Sequence, residues 1–212
     1  MIINKKICPA GLGNNPNCQM ASIGWITIHN TGNFAATATA KAHADYLYGG
    51  SAKDKISWHY TCDSDSVWQS FEDRSYCWHT GTSQGNGASI GIEICLNSRD
   101  GFKQACRNAA ELTAGLLKAY SLPLSRVVQH NYWSGKDCPQ LLRNGSWGVT
   151  WKEFLSLVEG FLSGTEMLYR VQIGAFYKKE NAEAVLAQAK KTGFSDAFIK
   201  AEEVAPSKGE QK

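Results

Sequence analysis

The stretch that decides the fold is Trp25-Ile26-Thr27-Ile28-His29-Asn30-Thr31-Gly32. It begins with apolar and β-branched residues and ends in turn-forming ones, so it predicts a β-strand that closes at His29. A second run, Ile90-Gly91-Ile92-Glu93-Ile94-Cys95-Leu96, is apolar enough to predict a strand inside a sheet. Such strands need helices or another layer to cover them.

Helices alternate with strands along the first 162 residues. Apolar residues from Phe102 to Tyr120 recur every three or four positions, which predicts an amphipathic helix covering one face of the sheet. Helices are predicted at 34–48, 102–120 and 151–162, and further strands at 57–62, 66–71 and 126–130. The predicted fold class is therefore α/β, with a central sheet flanked by helices.

The pattern changes after residue 162 and predicts a second, smaller part of the chain. Residues 1–162 form the main domain, 163–167 form a linker, and 168–212 form a small C-terminal βαβ fragment. In that fragment a strand is predicted at 168–173, a helix at 179–192 capped by Gly193, and a second strand at 197–200. So short a fragment offers only a thin core of its own.

Composition and charge exclude several classes of protein. The formal net charge of +3 is too small to predict nucleic-acid binding, and no run approaches the ~18 apolar residues of a membrane span. Asn4, Lys5 and Lys6 follow only two isoleucines, which is not the pattern of a signal peptide, so we expect synthesis in the cytoplasm. The seven cysteines are odd in number and include no CxxC pair, which fits a reduced compartment.

His29, His130 and Cys138 are candidate metal ligands. Each histidine closes a predicted strand, and Cys138 follows His130 by eight residues. Two imidazoles and a thiolate suit Zn²⁺, and three protein ligands leave one tetrahedral position for water, as in catalytic sites. Taken singly, a strand-end histidine is more often an ordinary surface or core residue, and a single cysteine is more often inert.

Glu93 and Lys136 are candidate catalytic residues. Glu93 interrupts an apolar strand, where a buried carboxylate is costly unless it is paired or functional, so it predicts a general base beside zinc-bound water. Lys136 lies two residues before Cys138, where its charge would stabilise an oxyanion. Two other readings stay open: Glu93 on a solvent-facing side of its strand, and Lys136 as an exposed loop residue.

Several motifs occur together in an order typical of one family. They are Ile28-His29-Asn30-Thr31, Ser57-Trp58-His59-Tyr60, Trp78-His79-Thr80-Gly81, Ser89-Ile90-Gly91-Ile92-Glu93 and the His130–Cys138 spacing followed by Pro139. From Ile23 to Leu162 the chain resembles the type-2 N-acetylmuramoyl-L-alanine amidases, a family of phage endolysins, bacterial autolysins and animal peptidoglycan-recognition proteins. The resemblance implies a mixed sheet, a substrate groove over a zinc ion, and hydrolysis of the bond between N-acetylmuramic acid and L-alanine in peptidoglycan.

The resemblance also implies roles for individual residues. His29, His130 and Cys138 match the zinc ligands, although some members use an aspartate as third ligand and Asp137 is adjacent. Glu93 matches the residue that activates water, and Lys136 the one that stabilises the transition state. Where some phage members have a catalytic tyrosine this chain has Trp58. Residues implied to contact the substrate are Trp58, Trp78 and His79, while His59 is expected to be structural.

The C-terminal segment resembles a different module. Tyr169-Arg170-Val171-Gln172-Ile173-Gly174-Ala175-Phe176 is similar to the first strand of SPOR-type peptidoglycan-binding modules, in a copy that looks truncated. Together the two resemblances imply an enzyme that reaches the wall after release or on cell lysis. The alternatives are a non-catalytic peptidoglycan-binding protein, and a cysteine hydrolase that uses Cys138 or Cys95.

Overall fold

The computed structural model describes residues 1–49, 55–164, 172–195 and 197–203. The chain forms two compact units, Met1–Met167 and Leu168–Lys212. The strands of the first unit are β1 (Asn4–Lys5), β2 (Trp25–Asn30), β3 (Tyr60–Cys62), β4 (Val67–Gln69), β5 (Ser89–Ile94) and β6 (Val127–Gln129). Its helices are α1 (Ala40–Tyr48), α2 (Ser83–Asn86), α3 (Phe102–Ala119), α4 (His130–Ser134), α5 (Gln140–Asn144) and α6 (Trp151–Ser163).

The six strands form one mixed sheet in the order β1-β4-β3-β5-β2-β6. Strands β3, β5, β2 and β6 run parallel to one another, while β4 is antiparallel to β3. The carboxyl ends of parallel strands meet at one edge of a sheet. The register places His29 beside Glu93 on β5 and Ile28 beside Gln129 on β6, so His130 begins α4 next to His29.

The two central strands have one apolar face and one polar face. Ile26 and Ile28 of β2 and the three isoleucines of β5 are fully buried in the main core, against α3 and α6. Side chains alternate across a strand, so the opposite face carries Thr27, His29 and Glu93. The isoleucine face holds the sheet to its helices and leaves the other face to build the site.

Most predicted elements of the first unit are confirmed, with shifted ends. Helices α3 and α6 match the predicted helices at 102–120 and 151–162 to within one residue at each end. The helix predicted at 34–48 begins only at Ala40, because the Thr39 hydroxyl accepts the N–H of Ala42 and caps it there. The strand predicted at 126–130 is shorter, and His130 starts a helix instead of closing the strand.

The second unit contains α7 (Lys179–Lys191), which confirms the predicted helix there. The strand predicted at 197–200 is wrong: these residues are described without strand structure, and Phe198 is 70% exposed. No strand in the described part of the chain pairs with residues 197–200, so their backbone forms no inter-strand hydrogen bonds with a described strand. The other predicted strand, 168–173, lies largely outside the described residues. None of the described helices is long and apolar enough to cross a membrane.

Candidate metal centre

The structure brings together the three predicted ligands. One ligand atom from each of His29, His130 and Cys138 lies within 4.8 Å of the other two, and all three residues are buried. Nδ1 of His29 is 3.1 Å from Nδ1 of His130 and 3.9 Å from Sγ of Cys138. Residues separated by more than a hundred positions thus converge at the edge where β2 and β6 end.

Backbone turns carry Cys138 back to the histidines. Helix α4 ends at Gly135 with φ +74°, a conformation that glycine adopts without strain, and the chain reverses there. The N–H of Asn131 then donates to the carbonyl of Cys138 at 3.0 Å, and the Asn131 amide caps the carbonyls of Gly135 and Lys136. A backbone hydrogen bond from Asn30 reaches the Cys138 thiol.

Protein groups contact the outer ring nitrogens of the two candidate ligand histidines. Nε2 of His130 donates to the Thr80 carbonyl at 3.0 Å, which leaves its Nδ1 as a lone pair. Nε2 of His29 faces Nδ1 of His79 at 3.0 Å, and Nε2 of His79 faces the Ser89 carbonyl at 3.2 Å. Burial holds the pKa values of His29 and His79 well below their usual range, which favours the neutral form of both rings.

This donor set fits a zinc ion. Nδ1 of His29 and Nδ1 of His130 face each other at 3.1 Å beside the thiol of Cys138, so one cation could bind to all three atoms. Nitrogens bound to tetrahedral zinc at about 2.0–2.1 Å lie about 3.3 Å apart, close to the spacing seen here. Imidazole and thiolate suit Zn²⁺ better than they suit Mg²⁺ or Ca²⁺. The other ring nitrogen of each histidine contacts a protein group, as is typical of metal-binding histidines.

Glu93 lies beside this centre, and one of its two carboxylate oxygens has no partner among the described residues. Its Oε1 is 3.9 Å from Nδ1 of His29, and its buried Oε2 has no hydrogen-bond partner among the described residues. Burial raises the pKa of Glu93 to about 8, against a smaller lowering effect of the Lys136 charge. Its side chain is 14% exposed, so the carboxylate faces the cavity over the site, not open solvent.

Lys136 and Asp137 point to different places. Lys136 is exposed on its loop but lines the same cavity as His29, His130 and Glu93. The Asp137 side chain is 74% exposed and pairs with Nε of Arg143 at 2.7 Å. Asp137 is therefore turned to the surface, and Cys138 is the residue that offers a ligand atom.

A cavity of about 550 Å³ lies over the site, and the predicted substrate contacts line it to different degrees. Trp78 is half-buried in its wall. Trp58 is only 7% exposed, and its Nε1 donates to the Thr61 hydroxyl at 2.7 Å. His79 lines the cavity while both of its ring nitrogens are bound by protein groups. His59 lies behind it, with Nε2 on the Ser75 carbonyl and Nδ1 on the N–H of Gly91.

Sequence reasoning missed the groups that hold the ligands in place. Thr80 and Ser89 act through their backbone carbonyls, which no side-chain pattern reveals. Asn86 was also missed: its side-chain oxygen accepts hydrogen bonds from the N–H groups of His79 and Thr80 and so fixes the loop from His79 to Asn86. Asn86 sits in a polar segment without periodicity, so only its place in the fold identifies it.

The electrostatic surroundings of the thiols do not favour a cysteine nucleophile. Burial raises the pKa of Cys138 to about 12, and the nearby Glu93 acts in the same direction. Burial also raises the pKa of Cys95. Nucleophilic cysteines need a lowered pKa, which neither thiol has without a metal.

Two family models match the chain. The first, N-acetylmuramoyl-L-alanine amidase, covers residues 19–141 and so includes all three candidate ligands and Glu93. The chain belongs to the N-acetylmuramoyl-L-alanine amidase family. The second model, the SPOR domain, covers residues 156–208 and begins inside helix α6.

Relatives in the amidase family are similar over most of this chain. The N-acetylmuramoyl-L-alanine amidases XlyA and CwlH of Bacillus subtilis are each 39% identical to it, over 78% and 73% of its length. The chain spans 53% and 60% of those two relatives. The solved catalytic domain of XlyA superposes with a TM-score of 0.67 at 38% identity, covering 74% of this chain and 99% of that domain. PlyL superposes with a TM-score of 0.65 at 28% identity, covering 78% of this chain and all of that structure.

Proposed function

We propose that this chain hydrolyses the amide bond between N-acetylmuramic acid and L-alanine in bacterial peptidoglycan, with Zn²⁺ held by His29, His130 and Cys138. The observation that carries the proposal is the meeting of three ligand atoms and the unpaired Glu93 carboxylate at one cavity. Membership of the amidase family, and the names of XlyA and CwlH, indicate which bond is cut.

Glu93 and Lys136 supply the proton transfer and the charge. When bound, Zn²⁺ supplies a Lewis acid that makes water more acidic and a carbonyl more electrophilic. Glu93 accepts a proton from the attacking water, whose oxygen bonds to the lactyl carbonyl carbon. The ammonium of Lys136 stabilises the negative charge that develops on the carbonyl oxygen. Glu93 then returns the proton to the amine of L-alanine as the carbon–nitrogen bond breaks.

The cavity accommodates the substrate in this proposal. Trp58, Trp78 and His79 contact the glycan or the stem peptide, with Trp78 offering the most accessible ring of the three. The segment matched by the SPOR model adds affinity for peptidoglycan. The enzyme then acts on the bacterial cell wall.

Digestion of purified cell walls tests the proposed reaction. We expect new N-terminal alanine amines without new reducing sugar ends, inhibition by a zinc chelator, and recovery when Zn²⁺ is added back. New reducing ends without alanine amines would make the chain a glycosidase. Binding to walls without release of peptide would make it a non-catalytic peptidoglycan-binding protein.

A further inference from the structure

We infer that His79 is a positioning residue that fixes the tautomer of the metal ligand His29. The inference rests on the proposed function, because it concerns the same site. His79 lines the cavity and, in addition, its Nδ1 accepts a hydrogen bond from the Nε2–H of His29. The Nδ1 of His29 is then free to bind the ion.

A chain of hydrogen bonds behind the site determines which nitrogen of His79 carries the hydrogen. Nε1 of Trp133 donates to the Thr27 hydroxyl at 2.9 Å, that hydroxyl donates to the Ser89 hydroxyl at 2.9 Å, and Ser89 donates to the Gly85 carbonyl at 2.8 Å. The hydroxyl hydrogen of Ser89 is thereby committed. Both oxygens of Ser89 near Nε2 of His79, the carbonyl at 3.2 Å and the hydroxyl at 3.5 Å, are acceptors, so Nε2 of His79 is the donor.

The tautomer of His29 follows from that of His79. With its hydrogen on Nε2, neutral His79 presents Nδ1 as an acceptor, and Nε2 of His29 lies 3.0 Å away from it. His29 therefore carries its hydrogen on Nε2 and presents a bare Nδ1 to His130 and Cys138. Without an acceptor at that place, the His29 hydrogen is free to move to Nδ1, where it blocks the ligand atom.

Packing holds the His79 ring in this position. A Cβ on Gly91 would lie 2.6 Å from Nδ1 of His79, so only glycine leaves room for the ring against β5. The His59 ring packs edge-on against His79 with centroids 5.8 Å apart, and Asn86 accepts the His79 backbone N–H. The ring thus has little freedom to turn away from His29.

Two substitutions of His79 separate its two hydrogen bonds. In His79→Asn the side-chain oxygen takes the place of Nδ1 and keeps an acceptor for His29, whereas in His79→Gln the amide nitrogen takes the place of Nε2 and only the bond to Ser89 remains. In the full chain, with Zn²⁺ affinity measured by competition with a chromophoric chelator, we expect His79→Gln to bind about 10–100-fold more weakly and His79→Asn only a few-fold more weakly. Unchanged affinity in His79→Gln, or equal losses in both variants, would overturn the inference.

His43→Asn is the matched control for removing a buried imidazole. His43 is also buried, and its Nδ1 faces the carbonyl of Thr39 at the start of helix α1 and the thiol of Cys95 at 3.8 Å, not a candidate ligand. We expect the zinc affinity of His43→Asn to equal that of the unaltered chain. A loss of zinc affinity in His43→Asn as large as that in His79→Gln would overturn the inference, because removal of any buried imidazole would then weaken zinc binding through stability alone.

Imidazole ¹⁵N spectra of the unaltered, metal-free chain give a readout that needs no variant. We expect the His29 spectrum of the Nε2–H tautomer, and the Nδ1–H tautomer would overturn the inference even if the His79 variants failed to fold. Both readouts concern metal binding and proton position. If the chain fails to cleave walls, the zinc-affinity and tautomer results still test the inference about His79. If those results contradict the inference, the proposed reaction is still tested separately by wall digestion.

Discussion

Glu93 carries a carboxylate that the folded protein does not stabilise. Its Oε2 is buried without a partner among the described residues, and burial raises its pKa to about 8. An unpaired buried charge opposes folding, and such groups concentrate at functional sites. The proposed role of Glu93 as general base accounts for a carboxylate at a place where burial penalises its charge.

Glu93→Gln is expected to separate stability from activity. Because the pKa is raised from the usual 4.5 to about 8 on folding, the metal-free chain loses stability as pH rises through that interval, and the glutamine variant does not. With chelator present, the two proteins should melt together near pH 4, and the variant should melt higher near pH 8. Wall hydrolysis by the variant should fall by about 10²–10⁴-fold. A lower melting temperature for the variant near pH 8 would show that the carboxylate has a stabilising partner.

Side chains that break a pattern were predictable from sequence, and backbone partners were not. Glu93 interrupts an apolar strand and His29 ends one, so both were found as candidates. The carbonyls of Thr80 and Ser89 are chemically identical to every other carbonyl, and only the fold places them against a histidine. The choice between Asp137 and Cys138 likewise depended on the Arg143 side chain, which holds the aspartate at the surface.

Helix α6 belongs to the first unit, although the SPOR model begins within it. Its Phe154 and Val158 are fully buried in the main core, where α6 packs against α3. A capping box at its start, in which Thr150 and Glu153 bind each other's backbone N–H groups, fixes the first turn. The boundary between the two units therefore falls after α6, close to the predicted linker at 163–167.

Two truncations test that boundary. The fragment 1–164 keeps all of α6 and is expected to melt cooperatively and to bind Zn²⁺ like the full chain. The fragment 1–155 loses Val158 together with the partly buried Leu157, Phe161 and Leu162, each worth up to about 1.5–3 kcal/mol of burial. It should melt well below 1–164 in circular dichroism, and equal melting temperatures would contradict the assignment of α6 to the main core.

The ends of elements were harder to predict than their existence. The three- and four-residue spacing of α3 was visible because it persists for 18 residues. The start of α1 depends on one capping hydroxyl, that of Thr39. Strand β6 ends before His130, where helix α4 begins, although the sequence there has a strand-like pattern. The residues 197–200 have a strand-like pattern, but a strand also needs a neighbour, which a local pattern cannot supply.

The fold of the first unit brings residues that are distant in sequence together at one site. Three parallel neighbours, β5, β2 and β6, bring Glu93, His29 and His130 to the same edge, and the loop after α4 returns Cys138 to them. Strand order is set by contacts between remote residues, so the convergence itself was a hypothesis at the level of the sequence. The α/β class with a sheet covered by helices, in contrast, followed from the alternation of strand and helix patterns, and the mixed sheet was implied by the family resemblance.

Zinc content tests the central claim most directly. The purified full chain, the variant Cys138→Ser and the matched control Asp137→Asn are compared for bound zinc by plasma mass spectrometry after dialysis against a weak chelator. We predict about one zinc per chain for the unaltered protein and for Asp137→Asn, and far less for Cys138→Ser, because a thiolate ligand is lost. Full zinc occupancy in Cys138→Ser, or none in the unaltered chain, would contradict the account.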